Sequence, residues 1–435
     1  MKRQPLSALD LLLPGAALAL VTVGVLFIYS AGLDTATGEN TGAWIRQVIW
    51  AATGIGLMLF FTFFQLGALR TYALPVYAAN LLLLLVTLLF GREVNGARAW
   101  LGIGELGVQP SEFMKISTIL FLAVYFTGIG NGIRELPRFL LGLLIILVPM
   151  GLVMLQPDTG TALVFIPIFL AMAFIAGAEA RHLAFFLLAG LLTIIMAAVP
   201  VVLTAMQKSG ALLGLLSDPT FMAYVLAAAV AITGLAVLGW RWTKRRYFYW
   251  ISWSSSVAAI GALGSIAVRM VLRDYQIMRL AIFVDPQLDP KGAGWNILQS
   301  VTAIGSGGLF GKGWLQGTQS QLQYLPQQST DFIFSILAEE WGFLGGLLVL
   351  GLFLAIVLRG LTVIWGARED YPLLVGTGVL AMLFFHVLVN IGMAMGIMPI
   401  TGIPLMLLSY GGSSLWTALA GVGILMNINR RRHRY

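Results

Sequence analysis

Long apolar runs separated by short polar breaks occupy almost the whole chain. Windows long enough to cross about 30 Å of hydrocarbon, at about 1.5 Å per helical residue, fall at 9–31, 45–66, 71–91, 111–129, 139–157, 160–178, 183–205, 221–240, 249–272, 330–358, 373–397 and 412–428. The pattern predicts an all-α, polytopic membrane protein of twelve spans with both termini in the cytoplasm. With an inside N-terminus, the N-terminus, the even-numbered connections and the C-terminus hold Lys2, Arg3, Arg70, Arg134, Arg138, Arg181, Arg241, Lys244, Arg245, Arg246, Arg359, Arg368 and the run 430–434. That register satisfies the positive-inside rule. It places 92–110, the Pro157-Asp-Thr-Gly turn, 273–329 and 398–411 on the outer face. No internal repeat or tethered soluble segment is visible, so 1–435 reads as one membrane domain.

One break is long. Residues 273–329 contain Phe283-Val-Asp-Pro-Gln-Leu-Asp-Pro-Lys-Gly-Ala-Gly-Trp295 and Gly317-Thr-Gln-Ser-Gln-Leu-Gln-Tyr-Leu-Pro326, and they border Thr330-Asp-Phe-Ile-Phe334. Connections longer than about 15 residues are uncommon without a function, so this segment is where binding or chemistry at the membrane surface is expected.

Composition sharpens the picture. Only 10% of the residues are charged and 59% are hydrophobic, against about 25% charged in soluble domains. The absence of cysteine excludes disulfides, thiolate metal sites and thiol nucleophiles, and His182, His386 and His433 are too scattered for a zinc site. Chemistry must rest on carboxylates, Lys, Arg or backbone groups. The net charge of +8 is accounted for by its sidedness, and it implies membrane lipid rather than nucleic acid as a partner.

Several constellations can carry chemistry. Asp285 and Asp289 are each followed by Pro, which favours extended or turn backbone, and Arg273, Arg279 and Lys291 flank them. Such a patch can hold a phosphate beside a proton acceptor; the plainer alternative is two Asp-Pro turns that cap the next helix. Gly305-Ser-Gly-Gly-Leu-Phe-Gly-Lys-Gly313 lacks the order of a nucleotide-binding loop, so its glycines point to tight turns and close helix approach. Lys312 either contacts an anionic head group or is solvated. Glu112 with Lys115, and Glu339 with Glu340, lie inside apolar windows, where an unpaired charge costs about 2.5 kcal/mol or more. The first two can pair at i, i+3 or bind pyrophosphate. The second two are about 100° apart on a helix, so only one is expected to face a given cavity. His386 reads as a hydrogen-bonded packing residue.

Asn95-Gly-Ala-Arg-Ala-Trp-Leu101, Gln109-Pro-Ser-Glu-Phe-Met-Lys115, Leu155-Gln-Pro-Asp-Thr-Gly-Thr161, the 285–300 block, Gly317-Thr-Gln-Ser320, Thr330-Asp-Phe-Ile-Phe334, Glu339-Glu340 and Pro404-Leu-Met-Leu-Leu-Ser-Tyr-Gly-Gly-Ser413 occur in an order that resembles the shape, elongation, division and sporulation (SEDS) family over nearly the whole chain. The loop from Gly317 is similar to that of the elongation members rather than the division members. Gln327, Trp295 and the 206–250 stretch depart from the family pattern, the last looking like a span pair added to a core of ten. The resemblance implies a peptidoglycan glycosyltransferase that polymerises lipid II at the outer face of the cytoplasmic (inner) membrane. It assigns catalysis to Asp289 as general base, and substrate binding to Arg98, Trp100, Glu112, Lys115, Asp158, Arg279, Lys312, Gln319, Ser320, Thr330, Asp331, Glu339 and Ser409. It implies a class B penicillin-binding protein as partner, with MreC, MreD and RodZ, and it allows a divalent cation, Mg or Mn, that no residue pattern identifies. The rival readings are a transporter or flippase for the same lipid and a division-type polymerase. Against the carrier, polar residues concentrate on one side and no inverted repeat is visible.

Overall fold

The computed structural model describes residues 11–33, 38–94, 96–102, 107–205, 218–271, 274–289 and 292–432. Each of the twelve apolar windows is a helix: α1 (Leu12–Ala31), α2 (Ala43–Phe63), α3 (Leu66–Phe90), α4 (Pro110–Ile129), α5 (Leu136–Leu155), α6 (Thr159–Ile175), α7 (Ala180–Ala205), α8 (Pro219–Thr243), α9 (Arg246–Val271), α13 (Ile333–Trp365), α14 (Asp370–Ala394) and α15 (Gly412–Arg432). Their ends follow local chemistry. Pro110 and Pro219 open α4 and α8, Asp158 and Asp218 cap α6 and α8 through their side chains, and Lys244 stops α8 in a left-handed conformation. Among the described residues, ten helices are long and apolar enough to cross a membrane. Two of the twelve fall short: α6 has 17 residues, and α15 runs into Asn427-Ile-Asn-Arg-Arg-Arg432.

The chain forms two compact units, residues 1–178 with 296–435, and residues 179–295. In the first, α15 packs on α2, α1 on α13, α3 on α4 and α14 on α6. The α2–α15 contact is close enough that a Cβ on Gly423 would lie 2.4 Å from the Met58 carbonyl oxygen. Such approaches are how helices pack where lipid removes the hydrophobic drive. Asn427 donates to the Phe61 and Phe64 carbonyls at 2.6 Å each, satisfying groups that the end of α2 leaves without helical partners. In the second unit, α9 packs on α7 and α8, with Thr233 Oγ1 and Ser255 Oγ 2.8 Å apart and Arg269 donating to the Met196 carbonyl at 2.8 Å.

The break at 273–329 has secondary structure of its own. It contains α10 (Asp274–Val284), a 3₁₀ turn (Pro286–Leu288), α11 (Ala293–Ser306) and α12 (Thr318–Gln321). Pro and Gly punctuate the segment, and the pieces between them carry helical spacing: α11 buries Ile297, Ser300 and Ala303, three residues apart. A two-stranded hairpin, β1 (Arg92–Val94) and β2 (Ala97–Trp100), precedes α4.

Candidate active site

The Asp-Pro turn lies in the second unit. Asp285 has extended backbone, and its Oδ1 accepts the Gln287 N–H at 3.0 Å, the capping role that an Asp-Pro pair can fill. Asp289 closes the 3₁₀ turn, and its carbonyl accepts the Gly292 N–H at 3.3 Å. A Cβ on Gly292 would lie 2.1 Å from Asp289 Oδ2, and one on Gly294 2.1 Å from the Pro286 carbonyl oxygen. The chain thus folds back over two glycines, and the Asp289 carboxylate rests on the bare α-carbon of Gly292. Asp285, Asp289 and Arg279 are all half-buried. Arg273 and Lys291 lie outside the described residues.

In the first unit, α13 is broken. Gly342 has φ 66° and ψ −163°, a conformation essentially closed to residues with a Cβ. Segment 307–313 fills the gap. Lys312 N donates to the Glu339 carbonyl and Gly313 N to the Glu340 carbonyl, each at 3.0 Å, while Phe343 N and Leu344 N donate to the Gly308 and Leu309 carbonyls at 2.9 and 3.2 Å. The backbone groups exposed by the break are therefore paired, as a low-dielectric setting demands. Gly307 and Gly311 permit the approach, since a Cβ on either would come within 2.1 Å of an α13 carbonyl oxygen. This close packing is the role the glycine-rich run foreshadowed.

Both glutamates beside the break turn to the same segment, correcting the expectation from the 100° helical offset. Glu339, fully buried, accepts Lys312 Nζ at 2.7 Å, Thr318 Oγ1 at 3.0 Å, Gln319 N at 3.0 Å and Ser320 N at 3.3 Å. Glu340 accepts Ser30 Oγ, Leu315 N at 3.1 Å and Ser320 Oγ at 3.4 Å. The 312–320 segment wraps around the end of the half-helix, so residues on different faces meet one partner. Lys312 is consequently an ion-pair partner of Glu339 and not a solvated lysine.

A third cluster joins α4, α6, α14 and α15. Lys115 Nζ donates to Glu112 Oε1 at 2.7 Å and lies 3.1 Å from His386 Nε2. His386 Nδ1 is 2.8 Å from the Met382 carbonyl, which can only accept, so Nδ1 carries the hydrogen and Nε2 of the neutral ring accepts from Lys115. Both members of the ion pair are closed to solvent. Nearby, Asp158 takes Gln109 Nε2 at 2.7 Å and Thr161 N at 3.1 Å, and Gln109 N donates to Ser413 Oγ at 2.9 Å. Asp158 keeps part of its residue surface, but protein packs round the carboxyl. That desolvation pushes its pKa above the usual carboxylate range, against the opposing pull of Thr161, Lys115 and Gln109.

Asp331 and the 398–411 turn are tied together by Asn390, whose Nδ2 donates to the Asp331 and Ile403 carbonyls at 2.8 Å each. Tyr410 N donates to the Ser329 carbonyl at 2.9 Å, beside Thr330, while Ser409 Oγ accepts Leu405 N at 2.9 Å and the Ser409 carbonyl accepts Gln47 Nε2 at 3.1 Å. Arg98 is exposed on β2 opposite Glu93, and Trp100 of the same strand packs on Gly107. Gln319 and Ser320 join the Glu339 cluster, and Glu112, Lys115 and Asp158 join the α4–α6 cluster. The candidate list omits Ser30, Gln47, Gln109 and Asn390, and its reading of His386 as packing misses the contact with Lys115. Their one sequence signal is a polar side chain inside or beside an apolar window.

The sequence model of the FtsW/RodA/SpoVE cell cycle protein family matches residues 10–249 and 223–434. Peptidoglycan glycosyltransferase RodA of Treponema pallidum (strain Nichols) is 45% identical over 433 residues, 99% of this chain and 100% of that one. Peptidoglycan glycosyltransferase MrdB of Escherichia coli (strain K12) is 32% identical over 420 residues, 95% of this chain and 92% of that one. A solved chain from a peptidoglycan synthase complex that coordinates polymerization and crosslinking has a TM-score of 0.67 at 28% identity, covering 98% of this chain and 99% of its own.

Proposed function

The chain belongs to the FtsW/RodA/SpoVE family and is a multi-pass peptidoglycan glycosyltransferase, and from that premise we propose that it polymerises lipid II by one inverting displacement with Asp289 as general base. The observation that carries the reading is 45% identity over 99% of the chain to a RodA of that activity. The elongation branch, and so cell shape, follows from the same match.

The chemistry asks little of the protein beyond position and charge. The 4-hydroxyl oxygen of one lipid-linked sugar attacks the anomeric carbon of another, and its proton passes to the Asp289 carboxylate. The bond to the pyrophosphate oxygen breaks, and undecaprenyl pyrophosphate leaves with its electrons. One displacement turns an α-linked donor into a β-1,4 link, so no covalent sugar on Asp289 is needed. A positioned base contributes about 10² to 10⁴ in rate. The support for Asp289 is its place in the family motif and its fixed, half-buried position on Gly292. Arg279, in the same unit as Asp289, is proposed to offset the pyrophosphate charge. Lys115 is held by Glu112 and His386, so direct contact with substrate requires it to exchange partners.

Among the described residues no three His, Asp or Glu side chains gather into a metal cage. A divalent cation shared with a pyrophosphate needs only one or two carboxylates, for which Asp285 and Asp289 are the candidates, and it would supply charge neutralisation. We place the reaction at the outer face of the cytoplasmic membrane. We also propose a crosslinking partner of the class B penicillin-binding type, within an assembly that includes MreC, MreD and RodZ. The likeness to a chain from a peptidoglycan synthase complex supports the partner.

The test is purified protein incubated with fluorescent lipid II and resolved on a gel. Wild type should give a glycan ladder, Asp289→Asn none, and Asp285→Asn a weaker one. Wild-type ladders from Asp289→Asn would remove the base from the scheme, and transbilayer movement of the lipid without any ladder would favour the carrier reading.

A further inference from the structure

A pocket of about 280 Å³ opens where the first turns of α3 and α14 meet the last turn of α15. In the register with an inside N-terminus this end faces the cytoplasm. Arg70, Arg368 and Arg431 line it, against one carboxylate, Glu369, which leaves the lining two positive charges in excess. Arg431 is engaged with Asn427 Oδ1 at 2.9 Å and the Phe64 carbonyl at 3.2 Å, which fixes its guanidinium at the rim. Among the described residues no ion pair joins Arg70 or Arg368 to a carboxylate. The starts of two 25-residue helices add the partial positive charge of their N–H groups.

A second observation is independent of charge. Tyr371 also lines the pocket and is 3% exposed, yet its buried hydroxyl has no hydrogen-bond partner among the described residues. Leaving such a group buried and unpaired is costly, so a site that keeps one is matched to an acceptor brought from outside. The Arg70 guanidinium lies 5.8 Å from the Tyr371 ring centroid, which holds the cation and the hydroxyl in one place.

We propose that this pocket binds a phosphate group, carried by an anionic phospholipid of the cytoplasmic leaflet or present as a free anion. Arginine forks supply paired N–H donors to phosphate oxygens, Tyr371 adds an O–H donor, and the helix starts favour negative charge. Its place at the cytoplasmic end in that register separates this site from glycan synthesis at the outer face.

The full chain is placed in phosphatidylcholine nanodiscs, and its melting temperature is followed while phosphatidylglycerol is included in the discs or inorganic phosphate is titrated. Wild type should be stabilised. Arg70→Gln and Arg368→Gln should each weaken binding about tenfold, and Tyr371→Phe severalfold, with the glycan ladder in phosphatidylcholine unchanged. Stabilisation by phosphatidylglycerol alone identifies a lipid head group; stabilisation by inorganic phosphate as well identifies a soluble anion. Arg368 is exposed and Tyr371→Phe preserves the packed ring, so these two report binding even if Arg70→Gln folds poorly. The proposal is overturned if neither probe stabilises wild type, if the three variants bind as wild type does, or if Arg359→Gln, an arginine elsewhere, loses as much as Arg368→Gln.

Discussion

Lys115 and Lys312 each pair with a glutamate, but the Lys115 side chain is 0% exposed and that of Lys312 is 26% exposed. Removing one partner from a fully buried pair costs about 3–5 kcal/mol, because the other charge is left without compensation. Lys115→Met is therefore expected to destabilise strongly, and Lys312→Met less, since Glu339 retains Thr318, Gln319 and Ser320 as donors. Unfolding in detergent should rank them so, and Glu112→Gln should restore much of the loss in the Lys115→Met background; equal losses in the two lysine variants would contradict the burial argument. Gly292→Ala should leave the fold intact but push the Asp289 carboxylate aside, costing about 10² in turnover by gel assay, the scale of a misplacement near 1 Å. Asp158 predicts a pH dependence. Its folded pKa lies above its unfolded one, so the native state binds the extra proton between those values. Stability should fall as pH rises through that window and level off above it, and Asp158→Asn should flatten the melting-temperature profile. At this scale the sequence was partly readable. Spacing exposed the Glu112–Lys115 pair and the Asp-Pro turns, but His386 meets Lys115 from 271 positions away, and no local pattern encodes that.

The broken helix is the element whose form the sequence concealed. The window 330–358 read as continuous, because hydropathy reports burial and not backbone continuity. The glycines at 305–313 were visible; their destination inside α13 was not. Gly342→Ala combines a backbone conformation worth about 1–3 kcal/mol of strain with a Cβ only 2.2 Å from Gly311 N. The variant should melt well below wild type, and hydrogen exchange at Lys312 and Gly313 should rise sharply. Protection at those two amides equal to wild type would mean that they do not depend on the break.

For the molecule as a whole, the twelve apolar windows foretold the twelve helices, because period and length act locally. The division into two units was not foreseen, since it depends on which helices pack together. Whether α6 crosses the bilayer decides the sidedness of everything after it. Its 17 residues span about 26 Å, at the lower limit for hydrocarbon. The chain has no cysteine, so single cysteines can be read without background. Glu93→Cys should react with a membrane-impermeant thiol reagent from outside, and Thr243→Cys only from inside. External labelling at 243 would mean that α6 does not cross, and would move the basic turn 241–246 to the other side. Ser209, the other informative position for such labelling, lies outside the described residues.

The interruption at Gly342 also bears on how the chain is made. Segment 307–313 leaves the ribosome about 30 residues before the half-helix end it will occupy, so during that interval its carbonyl and amide groups lack their final partners. Glu339 and Glu340 then emerge at the start of an apolar stretch, and each would resist transfer into lipid until Lys312 and the 315–320 backbone are close enough to bind it. Insertion of α13 is thereby tied to sequence already synthesised, and the nascent chain must keep that earlier segment near the point of exit. A force-sensing arrest sequence placed after α13 should register a later pull in wild type than in a Glu339→Leu, Glu340→Leu chain, where nothing has to wait.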